Sequence, residues 1–403
     1  MTTKIIETEP RPQISLWTIF TSYFVVGLTA FGMAILQKLK ALVMDNHWLG
    51  EEEMNEGLAM VQLYPGPLMV DFSAYVGYKL RGVLGATLAT IGFILPSFVL
   101  MSVLSAIYFA AGSLPWVHAL FVGLEALVVG VLFNVTLEMG DRNIRQRSQA
   151  VIMLLAFGAL LFKVNAIVIV LVALVLGAWL IRPAAGKNTA AGQPTPKLEP
   201  VSMKRWIGTG VVVVVILAVV AFSWSLKSEI GGLALSLFKI GSVAFGNGSA
   251  IIPLIQYEAV DLHHWMSLSQ FADGIALGQI TPGPFLITAT FIGYKLAGFW
   301  GGLLATFAIF SPSFAMTLVF TEIFARIRNL KAVRGALAGV MASFVGLLAV
   351  VLLQLGGVAL TGPAAFTLAG AAFVAVRWFK IDILWVFLGG LAVWGGLLAL
   401  GWV

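Results

Sequence analysis

"LYPGPLMV" (Leu63–Val70) and "ITPGPFLI" (Ile280–Ile287) each place a Pro-Gly-Pro inside a run apolar enough to sit in a bilayer. Neither proline has an amide N–H and glycine has no side chain, so the sequence interrupts a helix and leaves backbone groups unpaired at membrane depth. Such a break is tolerable only where protein or water meets it. Two breaks therefore point to a cavity, and they make the two halves of the chain comparable.

Working outward from the breaks, the match between halves continues. Glu56-Gly57 corresponds to Asp273-Gly274, Gln62 to Gln279, Gly77-Tyr78-Lys79-Leu80 to Gly293-Tyr294-Lys295-Leu296, and Pro96-Ser97-Phe98 to Pro312-Ser313-Phe314. Gly123 and Gly130 meet Gly339 and Gly346, and "FKVN" at Phe162 meets "FKID" at Phe379. Upstream, Phe31-Gly32 is echoed faintly by Phe245-Gly246-Asn247-Gly248-Ser249. An internal duplication covers most of the chain.

Of the 403 residues, 60% are hydrophobic and 10% are charged, too much apolar side chain for a soluble domain to bury. Continuous runs such as "GVVVVVILAVVAF" (Gly210–Phe222) exclude the alternating pattern of a β-barrel, so the expected class is an all-α polytopic membrane protein. The first apolar run is too long for a signal-peptide core and is expected to remain as the first span. There is no cysteine, which removes disulfides and thiolate chemistry. The net charge of +6 concentrates in loops between spans, so topology rather than nucleic acid accounts for it.

Each repeat reads as about six crossings, in the first at residues 14–36, 58–80, 83–110, 115–138, 148–163 and 164–182. The expected units are a first repeat at 1–182, a linker and connecting helix at 183–228, and a second repeat at 229–403. With the extra segment Trp206–Ser225 the sum is about thirteen, and an odd linker turns the second copy upside down. Loop charges agree. Arg142, Arg145 and Arg147 follow the fourth span of the first repeat, whereas Arg326, Arg328, Lys331 and Arg334 follow the third span of the second. Basic loops stay cytoplasmic, so equivalent loops fall on opposite sides. Lys38, Lys40, Lys163 and Lys295 fall outside on this scheme, against its grain.

The expected fold is thus two inverted-topology repeats with broken or re-entrant segments, the recurring plan of secondary transporters. Helix ends at such breaks turn their amides toward a cavity and suit an anion. Candidate substrate-binding residues are Pro65, Gly66, Pro67, Pro282, Gly283 and Pro284, with Gln62 and Gln279 beside them. Gly32, Gly246, Asn247 and Gly248 offer glycine nests, Ser97 and Ser313 offer hydroxyls, and Lys79 and Lys295 offer charge. The lysines read first as snorkelling anchors, with attraction of an anion as the alternative. Glu56, Asp273 and Glu125 are candidate proton carriers, since an acid within a span faces a partner or an aqueous cavity; Asp71 reads either way. His263-His264 lacks ligand partners, and no metal or cofactor is expected. Hydrolase, zincin and P-loop signatures are missing.

Together Phe31-Gly32, Trp48-Leu49, Pro65-Gly66-Pro67, Gly77-Tyr78 and Pro96-Ser97-Phe98, with their second-half counterparts, resemble the chromate ion transporter family, long-chain two-domain type. The resemblance implies two homologous domains in antiparallel orientation and efflux of chromate across the bacterial inner membrane, conferring chromate resistance, with sulfate as the structural mimic. Its partners would be an inorganic oxyanion and the lipid bilayer, with a homodimer as the oligomer to test. A channel, a membrane-embedded enzyme and a flippase are the competing classes. A dianion leaving a cell negative inside by about 100 mV gains roughly 4.6 kcal/mol, so export needs no further energy source.

Overall fold

The computed structural model describes residues 14–32, 34–111, 114–181, 203–225, 228–245, 248–327 and 331–402. Among these are fifteen α-helices and no strand. Most of the expected linker lies outside the described residues. Five helical stretches are long and apolar enough to cross a membrane: Leu68–Ala111, Pro115–Asn143, Arg205–Ser225, Phe285–Ile323 and Val333–Ala359. Shorter apolar helices stand beside them. This is a multi-pass membrane protein.

Helix α1 (Leu16–Thr29) begins at Ser15, whose hydroxyl accepts from the Thr18 amide. It is followed by α2 (Ala34–Asp45), α3 (Glu51–Met60) and α4 (Leu68–Ala111). The last of these is two legs rather than one rod. Arg81 and Gly82 leave helical geometry, with Gly82 at φ +61°, and a Cβ on Gly77 would lie 2.3 Å from the Gly85 carbonyl oxygen. Residues eight apart in a straight helix stand about 12 Å apart, so the chain reverses here. Helix α12 (Thr288–Ile327) does the same at Ala297 and Gly298 (φ +57°), with Gly293 and Gly301 in the same contact.

The Pro-Gly-Pro breaks are also reversals. Tyr75 on the first leg of α4 donates to the Glu53 carbonyl at 2.9 Å, and its ring covers Gly57. In the second half Phe291 covers Gly274, and Lys295 donates to Gln270, joining α12 to α11 (Leu268–Ile280). Each break is therefore the tip of a helical hairpin. This corrects the expected crossing at 58–80. Helix α3 has ten residues, about 15 Å, and opens on Glu51, Glu52 and Glu53, so neither its length nor its composition suits a full span.

Four helices complete the first half and lead into the second: α5 (Pro115–Asn143), α6 (Arg147–Leu161), α7 (Ala166–Leu180) and α8 (Met203–Ser225). The second half continues with α9 (Glu229–Ser242), α10 (Ile252–Gln256), a π-helical turn Tyr257–Leu262, and, after α12, α13 (Lys331–Ala359), α14 (Pro363–Arg377) and α15 (Ile383–Ala399). Equivalent contacts recur with partners exchanged. A Cβ on Gly130 of α5 would lie 2.2 Å from the Ala369 carbonyl oxygen of α14, and one on Gly346 of α13 would lie 2.2 Å from that of Met153 on α6. Within halves, Gly27 abuts the Phe93 carbonyl as Gly241 abuts that of Ile309. Small residues let these backbones touch, which is how helices associate without a hydrophobic drive between them. Gly130→Leu is expected to push α5 from α14 and cost about 1–3 kcal/mol or more, read as a lowered unfolding midpoint in detergent.

Candidate functional site

The tip of each hairpin meets the other half of the chain. The Gly66 amide donates to the Ala244 carbonyl at 2.6 Å, and the equivalent Gly283 amide donates to the Ala30 carbonyl at 3.1 Å. Ser97 donates to the Pro282 carbonyl at 2.6 Å, fixing the second tip to the second leg of α4. Gly283 holds φ +99°, a conformation open to glycine at little cost.

Beside this junction lies a cavity of about 440 Å³. Its wall includes the starts of four helical segments: Phe31, Gly32 and Ile35 at α2, Pro67, Leu68 and Met69 at α4, Gly248 and Ser249, and Gly283 to Leu286 leading into α12. First-turn amides have no carbonyl partner within their own helix and carry partial positive charge. Asn134, Gln279, Thr281 and Lys380 add donors, while Glu138 and Asp382 add carboxylates. Glu138 pairs with Arg142, whereas Asp382 accepts from the Leu384 amide at 3.0 Å through Oδ1 and keeps its charge, with Oδ2 beside Gly32. Helix starts beside a lysine suit an anion, and the Asp382 carboxylate opposes one.

Of the residues expected from sequence, Gly32, Pro67, Gly248, Gln279, Gly283 and Pro284 line this cavity. Gln62 and Gly66 line a second cavity of about 190 Å³, with Phe245, Leu68, Leu337 and Met341. Pro282, Ser97 and Ser313 are buried beneath the tips, and Pro65 is half-buried. Lys79 and Lys295, also expected there, line neither cavity. They precede the reversals at Gly82 and Gly298, at the end of each hairpin leg far from its tip. Lys79 stands over the Tyr75 ring at 5.6 Å. Glu56, half-buried on α3, also lines neither. Gly246 and Asn247 lie outside the described residues.

Sequence reasoning missed Asn134, Lys380 and Asp382 as lining residues, whereas Ser249 belongs to the Phe245–Ser249 element it singled out; the "FKID" match carried the only signal for Lys380 and Asp382. It also left open a carboxyl at the first tip. Asp71 is fully buried, neither of its oxygens has a hydrogen-bond partner, and the Ser313 and Thr317 hydroxyls face it. Farther along α5 and α11, Glu125 and Asp273 approach each other across the contact between halves. Ser269 donates to Glu125 and Tyr108 donates to Asp273 at 2.6 Å. Among the described residues no group of three or more His, Asp or Glu is placed to hold a metal.

The family model described as chromate transporter matches residues 17–178 and 231–395. An uncharacterized transporter of Methanocaldococcus jannaschii is 32% identical over 88% of this chain and 87% of its own. Chromate transport proteins of Cupriavidus metallidurans and Pseudomonas aeruginosa are 31% and 29% identical, over 76% and 95% of this chain and 73% and 93% of theirs. No solved structure matches. The two matched regions are the two halves, each of whose tips bonds to the other half, so the duplication read in the sequence is the family's own domain repeated. The chain is a membrane transporter, not an enzyme, and belongs to the chromate transporter family.

Proposed function

We propose that the protein exports a tetrahedral oxyanion, chromate with sulfate as its mimic, across the plasma membrane (in a bacterium, the inner membrane) by alternating access in an inverted-repeat scaffold. The observation that carries this reading is the convergence of four helix starts and Lys380 on one cavity at the junction of the halves. A dianion there meets amides that need no charge of their own to bind it. The relatives named for chromate transport support the choice of anion.

The inequality of the two cavities supports alternating access. The smaller cavity holds Gln62 and Phe245, counterparts of Gln279 and Phe31 in the larger one. Related positions therefore line a larger space and a smaller one. A carrier caught facing one way has this form. Glu138 and Lys380 sit in the larger cavity's wall close to Arg142, Arg145, Arg147 and Arg377, so the positive-inside rule assigns that cavity to the cytoplasm. A dianion captured there and released outside runs down the potential, which alone sustains a gradient of around a thousandfold at about 100 mV.

Inside-out vesicles or proteoliposomes test this. Labelled chromate should accumulate when the potential is imposed and compete with sulfate more than with phosphate. Flux indifferent to the potential would remove the uncoupled version. Lys380→Gln should raise the concentration for half-maximal flux on the order of tenfold, the worth of one charge-assisted hydrogen bond, with little change in thermal stability. Wild-type flux in both Pro65→Ala and Pro282→Ala would remove the role of the breaks.

A further inference from the structure

We propose that Glu125 and Asp273 form one proton-binding site linked to the anion cavity, so that binding of a dianion draws a proton onto the pair. The proposal rests on the oxyanion reading for what the site is linked to. Both side chains are about 4% exposed, and they come from different halves, Glu125 on α5 and Asp273 on α11. Each has a single hydroxyl donor, Ser269 for Glu125 and Tyr108 for Asp273. The other oxygen of Asp273, Oδ1, is buried without a partner.

Two facing carboxylates in a low-dielectric interior do not both stay ionised without a cation. The ion pairs Arg142–Glu138, Arg205–Glu322, His263–Glu258 and Arg377–Asp141 do not include either carboxylate. The ionisable groups facing it are Tyr108 from α4 and His118, nearer the start of α5, whose field reaches Glu125. Helix α15, packed on both α5 and α11, carries no ionisable residue. Lys295 is committed to Gln270. One proton held between the carboxyls supplies the missing donor and lowers the charge, and it titrates as a property of the pair.

The link to transport is geometric. Helix α5 carries Glu125 and, six residues on, Val131 of the cavity wall; α11 carries Asp273 and, five residues on, Gly278. At 1.5 Å per residue both separations are about 7–9 Å. Helix α11 is also the leg that ends in the second Pro-Gly-Pro. A negative pair at that distance opposes a dianion in the cavity and a neutralised one opposes it less. Proton and anion therefore strengthen each other's binding, and by linkage the effect is reciprocal.

The test uses the purified full chain with sulfate and chromate as ligands. In lightly buffered detergent solution, anion addition should take up protons, reported by a pH dye, approaching one per anion in the alkaline range. Anion affinity should fall roughly five- to tenfold from acid to alkaline pH, at the lower end of ordinary coupling. Glu125→Gln should bind tightly at all pH values and take up no proton. Tyr108→Phe, which removes a donor without a charge, should move the pH midpoint upward and keep the uptake. An anion affinity with the same pH profile in wild type and Glu125→Gln, or binding without proton uptake, overturns the proposal. If wild type binds neither anion, the oxyanion reading falls and takes the linkage with it. An infrared band of a protonated carboxyl, present in wild type and lost in Glu125→Gln, then decides the proton site alone.

Discussion

Gly283→Ala should abolish oxyanion flux while the protein still reaches the membrane, and Gly66→Ala should do the same from the other half. Gly283 sits at φ +99°, where a side chain is strained, and its new Cβ would lie 2.0 Å from Ser97 Oγ. That hydroxyl donates to the Pro282 carbonyl, so moving it unties the tip from α4. The strain costs about 1–3 kcal/mol and the lost bond about 0.5–1.5. At Gly66 there is no strain in φ, but a Cβ would lie 1.8 Å from Asp71 Oδ2 and 2.6 Å from the Ser313 Cβ. The tip must withdraw, and with it the 2.6 Å bond from the Gly66 amide to Ala244. A shift of about 2–4 kcal/mol in the closed junction corresponds to roughly thirtyfold to several hundredfold in its population, which counterflow in proteoliposomes would register. Gly82→Ala separates the causes. Gly82 holds φ +61° with nothing within 4 Å of a Cβ, so it carries the strain without the collision. It should lose far less flux than Gly283→Ala; equal losses would mean that strain rather than contact at the junction matters.

The breaks, the duplication and the helical class were legible in the sequence because Pro and Gly act locally and apolar content sets the solvent. Hairpin geometry was left open there, between broken and re-entrant segments. A leg such as Leu68 to Leu80 and the spanning leg after Gly82 are both apolar, and composition alone does not separate a folded-back pair from two crossings. The available signal was small: Leu80-Arg81-Gly82 and Leu296-Ala297-Gly298 put glycine at the same step in both halves, where the left-handed turn needs it. Lys380 was hidden for another reason. Its counterpart Lys163 has the same left-handed φ, +60° against +55°, and the same exposed position, yet only Lys380 lines the larger cavity. Two copies of one sequence motif acquire different surroundings when the junction is asymmetric.

Cysteine labelling should show that matching loops of the two halves face opposite sides of the membrane. The chain contains no cysteine, so each introduced thiol is the only target. In intact cells an impermeant maleimide should label Thr361→Cys and Phe162→Cys and spare Arg145→Cys and Phe379→Cys; inside-out vesicles should reverse the pattern. All four positions are exposed. The contacts bear on this because they exchange partners: Gly66 with Ala244 against Gly283 with Ala30, and Gly130 with Ala369 against Gly346 with Met153. Exchange of this kind is what a two-fold relation produces. A two-fold along the membrane normal would put Arg145 and Thr361 on one face, whereas a two-fold in the membrane plane puts them on opposite faces. Basic residues gather after α5 in the first half and after α12 in the second, and on the proposed topology α8 would be the single crossing that inverts the copy. Labelling of Arg145→Cys and Thr361→Cys from the same side would make the halves parallel. The smaller cavity would then open on the same face as the larger, and exchange of their shapes would carry no anion across.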